Sequence, residues 1–302
     1  MMSPPIPIER LAIIGVGLIG GSLARALRRA GAVREVVGCG RSRENLEQAV
    51  YLGVIDRYCQ DPASAVAGAD RVFLAVPLGA MRAVFAAIQH QLAPGVVVTD
   101  GGSVKASVVA DAVAVFGAVP PWLVPGHPIA GTEQSGVAAS FADLYQQRRV
   151  ILTPLPETDP KAVAAVEAMW RQCGAEVSRM SVEHHDQTLA ATSHLPHLLA
   201  FGLVDCLAQM AGNDEIFRYA AGGFRDFTRI ASSHPVMWRD ICLANQQALG
   251  EILARFATEL DDLAQLIQQG DGAALLERFS RAKAARDRYL EGLDPANRLS
   301  TE

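Results

Sequence analysis

The sequence predicts an α/β protein with an N-terminal doubly wound, mostly parallel sheet and an all-helical C-terminal domain. Two observations lead to this prediction. Over the first 180 residues, short apolar runs alternate with helical segments, a pattern typical of a parallel sheet with helices on both faces. After residue 180 the segments are long and helical, with almost no strand signal. We therefore predict two domains, at residues 1–180 and 181–302.

The predicted strands are buried-type apolar runs bounded by glycine or polar residues. They lie at 11–14, 36–37, 72–76, 96–99 and 150–152, with a last edge strand at 176–180. The helices predicted between them lie at 19–30, 43–52, 81–92 and 161–173. Gly31 and Gly53 follow the first two helices and suit left-handed C-caps. In the second domain we predict helices at 182–210, 235–269 and 273–293.

The composition restricts the possible partners. Half of the 302 residues are apolar and a fifth are charged, which is typical of two ordinary globular domains. A net charge of -5 argues against nucleic acid or an anionic membrane, because both call for a basic face. No uncharged run approaches the ~18 residues that span a bilayer, and the five scattered cysteines suggest neither disulfides nor a zinc site. We expect a cytoplasmic protein without a bound metal.

The segment Gly15-Val16-Gly17-Leu18-Ile19-Gly20 joins the first strand to the first helix. Its glycines fit the G-x-G-x-x-G pattern of a Rossmann-type domain, in which they form a tight turn, admit a pyrophosphate and pack the helix on the strand. The phosphates bind the unpaired N–H groups at the start of that helix, around Leu18 and Ile19, where the helix dipole also favours anions. We therefore predict a site for NAD or NADP.

The end of the second strand bears on the choice between these two cofactors. An acidic residue about twenty positions after the glycine turn binds the ribose 2′-hydroxyl of NAD, but residues 37–43 contain no acid. Arg41 and Ser42 stand there instead, and they can hold a 2′-phosphate by charge-assisted hydrogen bonds. This favours NADP. The alternative is that Arg41 and Arg43 are only solvated charges at the start of a helix.

Polar segments follow the next strands at the edge where ligands bind in such sheets. Val76 and Pro77 come after one strand, and residues 100–105 come after the next. The glycine-rich loop at 126–136 then holds one histidine, His127. An imidazole beside the nicotinamide can accept a hydroxyl proton while hydride leaves the same carbon. On spacing alone, a structural role for His127 stays open.

Five motifs together resemble the prephenate/arogenate dehydrogenase family (cyclohexadienyl dehydrogenases) of tyrosine biosynthesis. The motifs are the glycine turn, Gly102-Ser103-Val104-Lys105, the segments 127–133 and 193–197, and the segment 223–231. The resemblance extends over about residues 10–290. It implies oxidative decarboxylation, in which hydride leaves the ring carbon that bears the hydroxyl, CO2 departs and the ring becomes aromatic. It also implies a homodimer formed through the helical domain.

The resemblance assigns roles to individual residues. His127 accepts the proton of the ring hydroxyl, Ser103 places that hydroxyl beside the nicotinamide, and Arg229 receives a substrate carboxylate. The further substrate contacts that it implies are Thr132, Glu133, His197, Asp226 and Trp238. By the same resemblance, Glu133 and Asp226 hold Arg229 in an ion-pair network, and Trp238 closes the site from the partner subunit. The alternatives are that Arg229 forms only a structural ion pair and that Trp238 only packs against its neighbours.

Other histidines have plainer interpretations. His194 and His197 flank Pro196, which suits the first turn of a helix. His194 therefore either contacts the ligand, or caps the helix or packs in the core. No third residue accompanies this pair as a metal ligand. We expect the remaining histidines to be surface or capping residues: His90, His184, His185 and His234.

Two alternative functions and the choice of substrate have to be weighed against the sequence. A β-hydroxyacid-dehydrogenase-like oxidoreductase needs a lysine in its helical domain, and residues 181–275 contain none. A non-catalytic dinucleotide-sensing module does not need His127, Ser103 and Arg229 together. An acid such as Asp226 favours the ammonium group of arogenate over the keto group of prephenate, although Arg229 can engage that acid instead.

Overall fold

The computed structural model describes residues 8–132 and 134–293, apart from the side chains of residues 213, 214, 292 and 293. Six parallel strands form its main sheet, in the order β3-β2-β1-β4-β5-β6. The strands are β1 Ile8–Ile14, β2 Val33–Cys39, β3 Arg57–Cys59, β4 Arg71–Leu74, β5 Val97–Asp100 and β6 Leu123–Val124. The strand order reverses between β1 and β4, which is the Rossmann arrangement and marks the usual ligand crevice. The predicted fold class is confirmed.

Helices cover both faces of this sheet. They are α1 Leu18–Arg29, α2 Arg43–Tyr51, α3 Pro62–Val66, α4 Met81–Ile88, α5 Lys105–Phe116 and α6 Pro160–Gln172. Successive residues of a strand point to opposite faces, so Leu11 and Ile13 lie in one hydrophobic cluster and Ala12 and Ile14 in another. Two separate apolar layers therefore hold the helices on the sheet.

A second, three-stranded sheet carries the end of this region. It contains β7 Gly126–Pro128, β8 Arg149–Leu152 and β9 Glu176–Arg179, with β7 antiparallel to β8 and β8 parallel to β9. The pattern of apolar runs predicts that 150–152 and 176–180 continue the main sheet, and this prediction is wrong. Pro125 separates β6 from β7, and because proline has no N–H it interrupts the ladder. His127 therefore lies on a strand, paired with Ile151, and not in a loop.

The described residues that follow β9 are helical, as predicted. It contains α7 Val182–Leu189, α8 Leu195–Ala208, α9 Asn213–Arg218, α10 Gly222–Thr228, α11 Pro235–Ala244, α12 Gln246–Gln269 and α13 Gly272–Leu293. A π-helical turn, Ala190–His194, joins α7 to α8 just before Pro196, whose missing N–H disfavours regular helical bonding. The helix predicted at 235–269 is interrupted at Asn245. Along 8–132 and 134–293, none of the helices combines the length and apolar character that crossing a bilayer requires.

The chain forms two compact units, 1–249 and 250–302. Residues 181–249 are thus in the same compact unit as the sheets. Within the second unit, Arg278 of α13 pairs with Glu259 and Asp262 of α12. The domain boundary at residue 180, which we drew from the change in secondary structure, stays a prediction.

Candidate active site

The glycine turn lies against the end of β4. Gly15 has a φ of +102°, and a Cβ there would lie 2.2 Å from the carbonyl oxygen of Ala75. A Cβ on Gly20 would lie 2.3 Å from the carbonyl oxygen of Gly15. Both positions therefore require glycine, because side chains are excluded by backbone that cannot move independently. This packing brings the start of α1 next to Val76, at the carboxyl edge of the sheet.

Gly17 has a different environment from the other two glycines. Its φ of -110° is ordinary, and a Cβ built on it would have no protein atom within 4 Å. It caps α1, where no side chain bonds the first N–H groups and no acid lies in the first turn. Leu18 and Ile19 lie in that first turn. Pro77, the residue after Val76, is exposed. Open space over an uncapped helix N-terminus fits a pyrophosphate.

Asn45, which the sequence analysis did not single out, holds this turn in place. Its Nδ2 donates to the Val16 carbonyl at 2.7 Å, and its Oδ1 accepts from the Val137 N–H at 3.1 Å. The Ser42 hydroxyl accepts from the Asn45 N–H at 3.2 Å and so caps α2. That bond leaves the hydroxyl hydrogen of Ser42 available as a donor, beside the exposed side chain of Arg41.

His127 contacts a second histidine that the sequence analysis placed at the surface. His127 Nδ1 lies 2.9 Å from Nε2 of His185, and Nδ1 of His185 lies 2.7 Å from Oδ1 of Asp186. His185 is fully buried, so the prediction of a surface or capping role was wrong. The physical reason lies in the helix phase: Ser181 caps α7 by accepting from the His184 N–H, which leaves His184 exposed and turns the next residue inward.

A buried ion pair fixes the strand that carries His127. Lys105 is fully buried, pairs with Asp100, and donates to the carbonyl of Gly126 at 2.5 Å. Asp100 also accepts from the backbone N–H groups of Gly126, at 3.0 Å, and Gly102, at 2.8 Å. These bonds tie β7 to the end of β5. The motif at 102–105 therefore supplies Ser103 and, through Lys105, also helps to position His127.

Burial determines the charge states in this cluster. Desolvation lowers the pKa of His127 well below its usual value, and the charge of Lys105 lowers it further. Desolvation likewise lowers the pKa of His185, and it lowers that of His194 to about 4. Burial would raise the pKa of Asp186, but hydrogen bonds from His185 and two backbone N–H groups outweigh this and lower it. At neutral pH the imidazoles are therefore neutral and Asp186 is a carboxylate.

His194 fills the core beside this cluster. It is buried, and its Nδ1 lies 3.1 Å from Nδ2 of Asn245. The same Asn245 group donates to the carbonyl of Asp186 at 2.8 Å. Of the interpretations left open by the sequence, the core role is the one that the structure fits.

His197 packs against Trp238, which belongs to a small buried apolar cluster. The rings of His197 and Trp238 stack with centroids 3.6 Å apart and planes 18° apart. Trp238 also packs on Val104, which follows the half-buried Ser103. The His197 ring donates from Nδ1 to the carbonyl of Ser193 at 2.8 Å. Trp238 thus lies against His197 of its own chain, and its contact with a partner subunit's site stays a prediction.

The remaining predicted substrate contacts lie on exposed segments. Arg229 ends α10 and begins the 3-10 turn Arg229–Ser232, which packs on α8, and Asp226 is exposed less than one helical turn earlier. The Thr132 hydroxyl accepts from the Gln134 N–H at 3.2 Å. Glu133 lies outside the described residues, so its predicted ion pair with Arg229 stays a prediction. Among the residues that the structure describes, no three His, Cys, Asp or Glu side chains are grouped as metal ligands.

Two family models match the chain. One is described as prephenate dehydrogenase, nucleotide-binding domain, and matches residues 23–179; the other is described as prephenate dehydrogenase, dimerization domain, and matches residues 181–281. The chain belongs to the prephenate dehydrogenase family. It is therefore a nicotinamide-dependent dehydrogenase, with an N-terminal nucleotide-binding domain and a helical C-terminal domain. The glycine turn precedes the first matched residue, so its assignment rests on its geometry.

Individual members of the prephenate dehydrogenase family are similar over most of their length. The cyclohexadienyl dehydrogenase of Zymomonas mobilis is 41% identical over 281 residues, covering 92% of this chain and 95% of that protein. The crystal structure of A. aeolicus prephenate dehydrogenase with hydroxyphenyl propionate and NAD+ is 38% identical, with a TM-score of 0.88, and covers 95% of this chain and 100% of its own. The Synechocystis arogenate dehydrogenase is 29% identical, with a TM-score of 0.77, over 93% and 99% of the two chains.

Proposed function

We propose that this protein oxidatively decarboxylates arogenate, alone or alongside prephenate, and that it prefers NADP to NAD. The observation that carries the proposal is His127, a half-buried imidazole on β7 whose pKa is held well below its usual value by desolvation, and whose strand is bonded to Asp100 at the carboxyl end of β5. A neutral imidazole is the form that a general base requires. Membership of the prephenate dehydrogenase family supplies the reaction class.

In the proposed mechanism, the bound nicotinamide supplies the acceptor for the hydride that leaves the ring carbon. His127 accepts the proton of the hydroxyl on that carbon, and Ser103 orients the hydroxyl by a hydrogen bond. Arg229 binds a substrate carboxylate, a task suited to its planar pair of donors. The electrons of the carbon–carboxylate bond enter the ring as CO2 departs, and the ring oxygen takes its proton back from His127. The ring is then aromatic, which makes the reaction effectively irreversible.

Two features support a preference for NADP. Residues 37–43, at the end of β2, contain no acid that would repel a 2′-phosphate. Arg41 offers an exposed guanidinium there, and Ser42 keeps a hydroxyl hydrogen to donate while capping α2. A phosphate held by both makes charge-assisted hydrogen bonds.

The proposed preference for arogenate concerns the substrate side chain, which carries an ammonium group in arogenate and a keto group in prephenate. His197 donates from Nδ1 to a carbonyl, so in the neutral ring Nε2 is an acceptor. An acceptor suits the ammonium group, because a keto oxygen needs a donor. The exposed carboxylate of Asp226 supports the same choice.

We also propose a homodimer. The second matched model is described as a dimerization domain. Large apolar side chains are exposed along α12 and α13, including Leu253, Leu260, Ile267, Leu276, Phe279 and Leu290. Exposed apolar surface of this extent is typical of interfaces. Sedimentation at micromolar concentration tests the proposal, and a monomer there would count against it.

The steady-state test combines two substrates with two cofactors and follows the absorbance of the reduced nicotinamide. We expect the highest kcat/KM with arogenate and NADP. Equal kcat/KM for NAD and NADP would refute the cofactor preference. Activity with prephenate but not with arogenate would refute the substrate preference. Absence of reduction in all four mixtures would favour a dinucleotide-sensing module.

A further inference from the structure

The hydrogen-bonded chain from His127 through His185 to Asp186 has a definite direction. We infer that His185 and Asp186 are positioning residues that hold His127 in the tautomer whose Nε2 atom accepts the substrate proton. This inference rests on the proposed role of His127 as the base. It adds two residues to the reaction that none of the five sequence motifs contains.

The direction of the chain starts at the Asp186 carboxylate. Its oxygens accept the backbone N–H groups of Lys105 and Ala106, both at 2.8 Å, and its Oδ1 lies 2.7 Å from Nδ1 of His185. An ionised carboxylate only accepts hydrogen bonds. The proton of the His185 ring must therefore be on Nδ1.

The second bond of the chain follows from the first. His185 is fully buried, and desolvation lowers its pKa, so the ring is neutral and its second nitrogen, Nε2, carries a lone pair. That lone pair lies 2.9 Å from Nδ1 of His127, which must then be the donor. A neutral His127 with its proton on Nδ1 has a free lone pair on Nε2, the nitrogen that points away from His185.

The same chain stabilises the charge that forms during turnover. When His127 Nε2 takes the hydroxyl proton, the ring becomes an imidazolium whose Nδ1–H still donates to His185. His185 in turn donates to the negative Asp186, which places a compensating charge at the end of the chain. The other charged or titratable groups that face His127 are Lys105, which opposes this charge, and His194. The chain therefore offsets the cost of a cation in a buried site.

Asp186 is itself held rigidly. It accepts hydrogen bonds from the first two N–H groups of α5, the helix that follows Ser103. The carboxylate therefore lies at the positive end of that helix. Its backbone carbonyl accepts from Nδ2 of Asn245 at 2.8 Å. Because Asp186 joins α7 to α5, replacing it would disturb both helices. His185 is consequently the better residue to change.

The test compares His185→Leu with His185→Gln, and His184→Leu is the matched control on the exposed neighbouring position. Leucine removes the acceptor, so we expect kcat to fall by about 10²-fold, the lower range for loss of a general base, with KM nearly unchanged. Glutamine reaches the place of Nε2 with an amide oxygen and should restore most of the rate. His184→Leu should leave kcat and KM as in the wild type.

Nitrogen-15 NMR of the histidine rings gives an independent readout, with the signals of His127 assigned by their loss in His127→Asn. We expect a protonated Nδ1 and a lone-pair Nε2 in the wild type and in His185→Gln, but not in His185→Leu. A protonated Nε2 in the wild-type enzyme, or unchanged kcat in His185→Leu, would overturn the inference, and the wild-type spectrum decides the matter if the leucine variant does not fold. Near-normal turnover of His127→Asn would refute the proposed base. The wild-type spectrum would still test the tautomer of His127 separately.

Discussion

Replacing Gly17 by alanine separates cofactor binding from folding. The Cβ position of Gly17 has no protein atom within 4 Å, and its φ of -110° is one that alanine adopts freely. Stability should therefore change by no more than about 0.5 kcal/mol, as for an ordinary surface substitution. The new methyl group should instead occupy the space that we assign to the pyrophosphate, next to the N–H groups of α1.

The expected loss of affinity follows from the bonds at stake. Displacing the phosphate by a methyl radius removes at least one hydrogen bond to a charged group, worth about 1.5–3 kcal/mol, which corresponds to a rise of roughly 10- to 100-fold in the cofactor KM. Gly15→Ala is the contrasting variant. It places a Cβ 2.2 Å from the Ala75 carbonyl oxygen at a positive φ, so it should lower the free energy of unfolding by more than the ~1–2 kcal/mol of backbone strain alone.

Thermal unfolding without cofactor and initial rates at varied NADP and NAD measure the two effects. We expect Gly17→Ala to unfold as the wild type does and to bind both cofactors poorly. Wild-type cofactor KM values in Gly17→Ala, or a loss of thermal stability equal to that of Gly15→Ala, would refute the assignment of this space to the pyrophosphate.

Three further predictions concern the cluster and the substrate. Lys105→Met leaves Asp100 buried without its cation, so urea unfolding should show a loss of about 3–5 kcal/mol, and adding Asp100→Asn should recover part of it; purely additive losses would contradict the coupling. Burial lowers the pKa of His194 to about 4 in the folded protein, whereas an unfolded histidine takes a proton below about pH 6.5. The free energy of unfolding of the wild type should therefore fall as the pH drops from 6.5 to about 4, by up to roughly 3 kcal/mol. His194→Asn should show a weaker pH dependence over this range. Arg229→Ala should raise KM for substrate by about 10- to 100-fold, the loss of a charged hydrogen bond, with a smaller change in kcat; unchanged KM would count against a carboxylate contact.

The sequence was most informative where local chemistry decides the structure. Two of the three glycines in the glycine turn cannot be replaced by larger residues, because they are packed against backbone. Gly31 and Gly53 have φ values of +63° and +66°, as expected of helix C-caps. Apolar runs marked β1, β2, β4 and β5 of the main sheet, since strands buried on both faces are nearly continuous in hydrophobicity. The short strands β3 and β6 carry too few residues for such a run and were not predicted.

The sequence was least informative where contacts join distant segments. His185 carries no local signal of burial, because only the packing of α7 on α5 places it beside His127, 58 residues away in sequence. At the break between α11 and α12, the side chain of Asn245 likewise contacts two distant residues, Asp186 and His194. The separate sheet of β7, β8 and β9 begins after Pro125, and the pairing of its strands joins segments that are distant in sequence.

Turnover of His127→Asn tests the central claim most directly. Asparagine keeps a hydrogen-bonding side chain but cannot accept a proton at neutral pH. With arogenate and NADP at saturation, we expect kcat to fall by at least ~10²-fold, as for loss of a general base, while the KM values change little. A kcat near that of the wild type would contradict the assignment of His127 as the group that removes the hydroxyl proton.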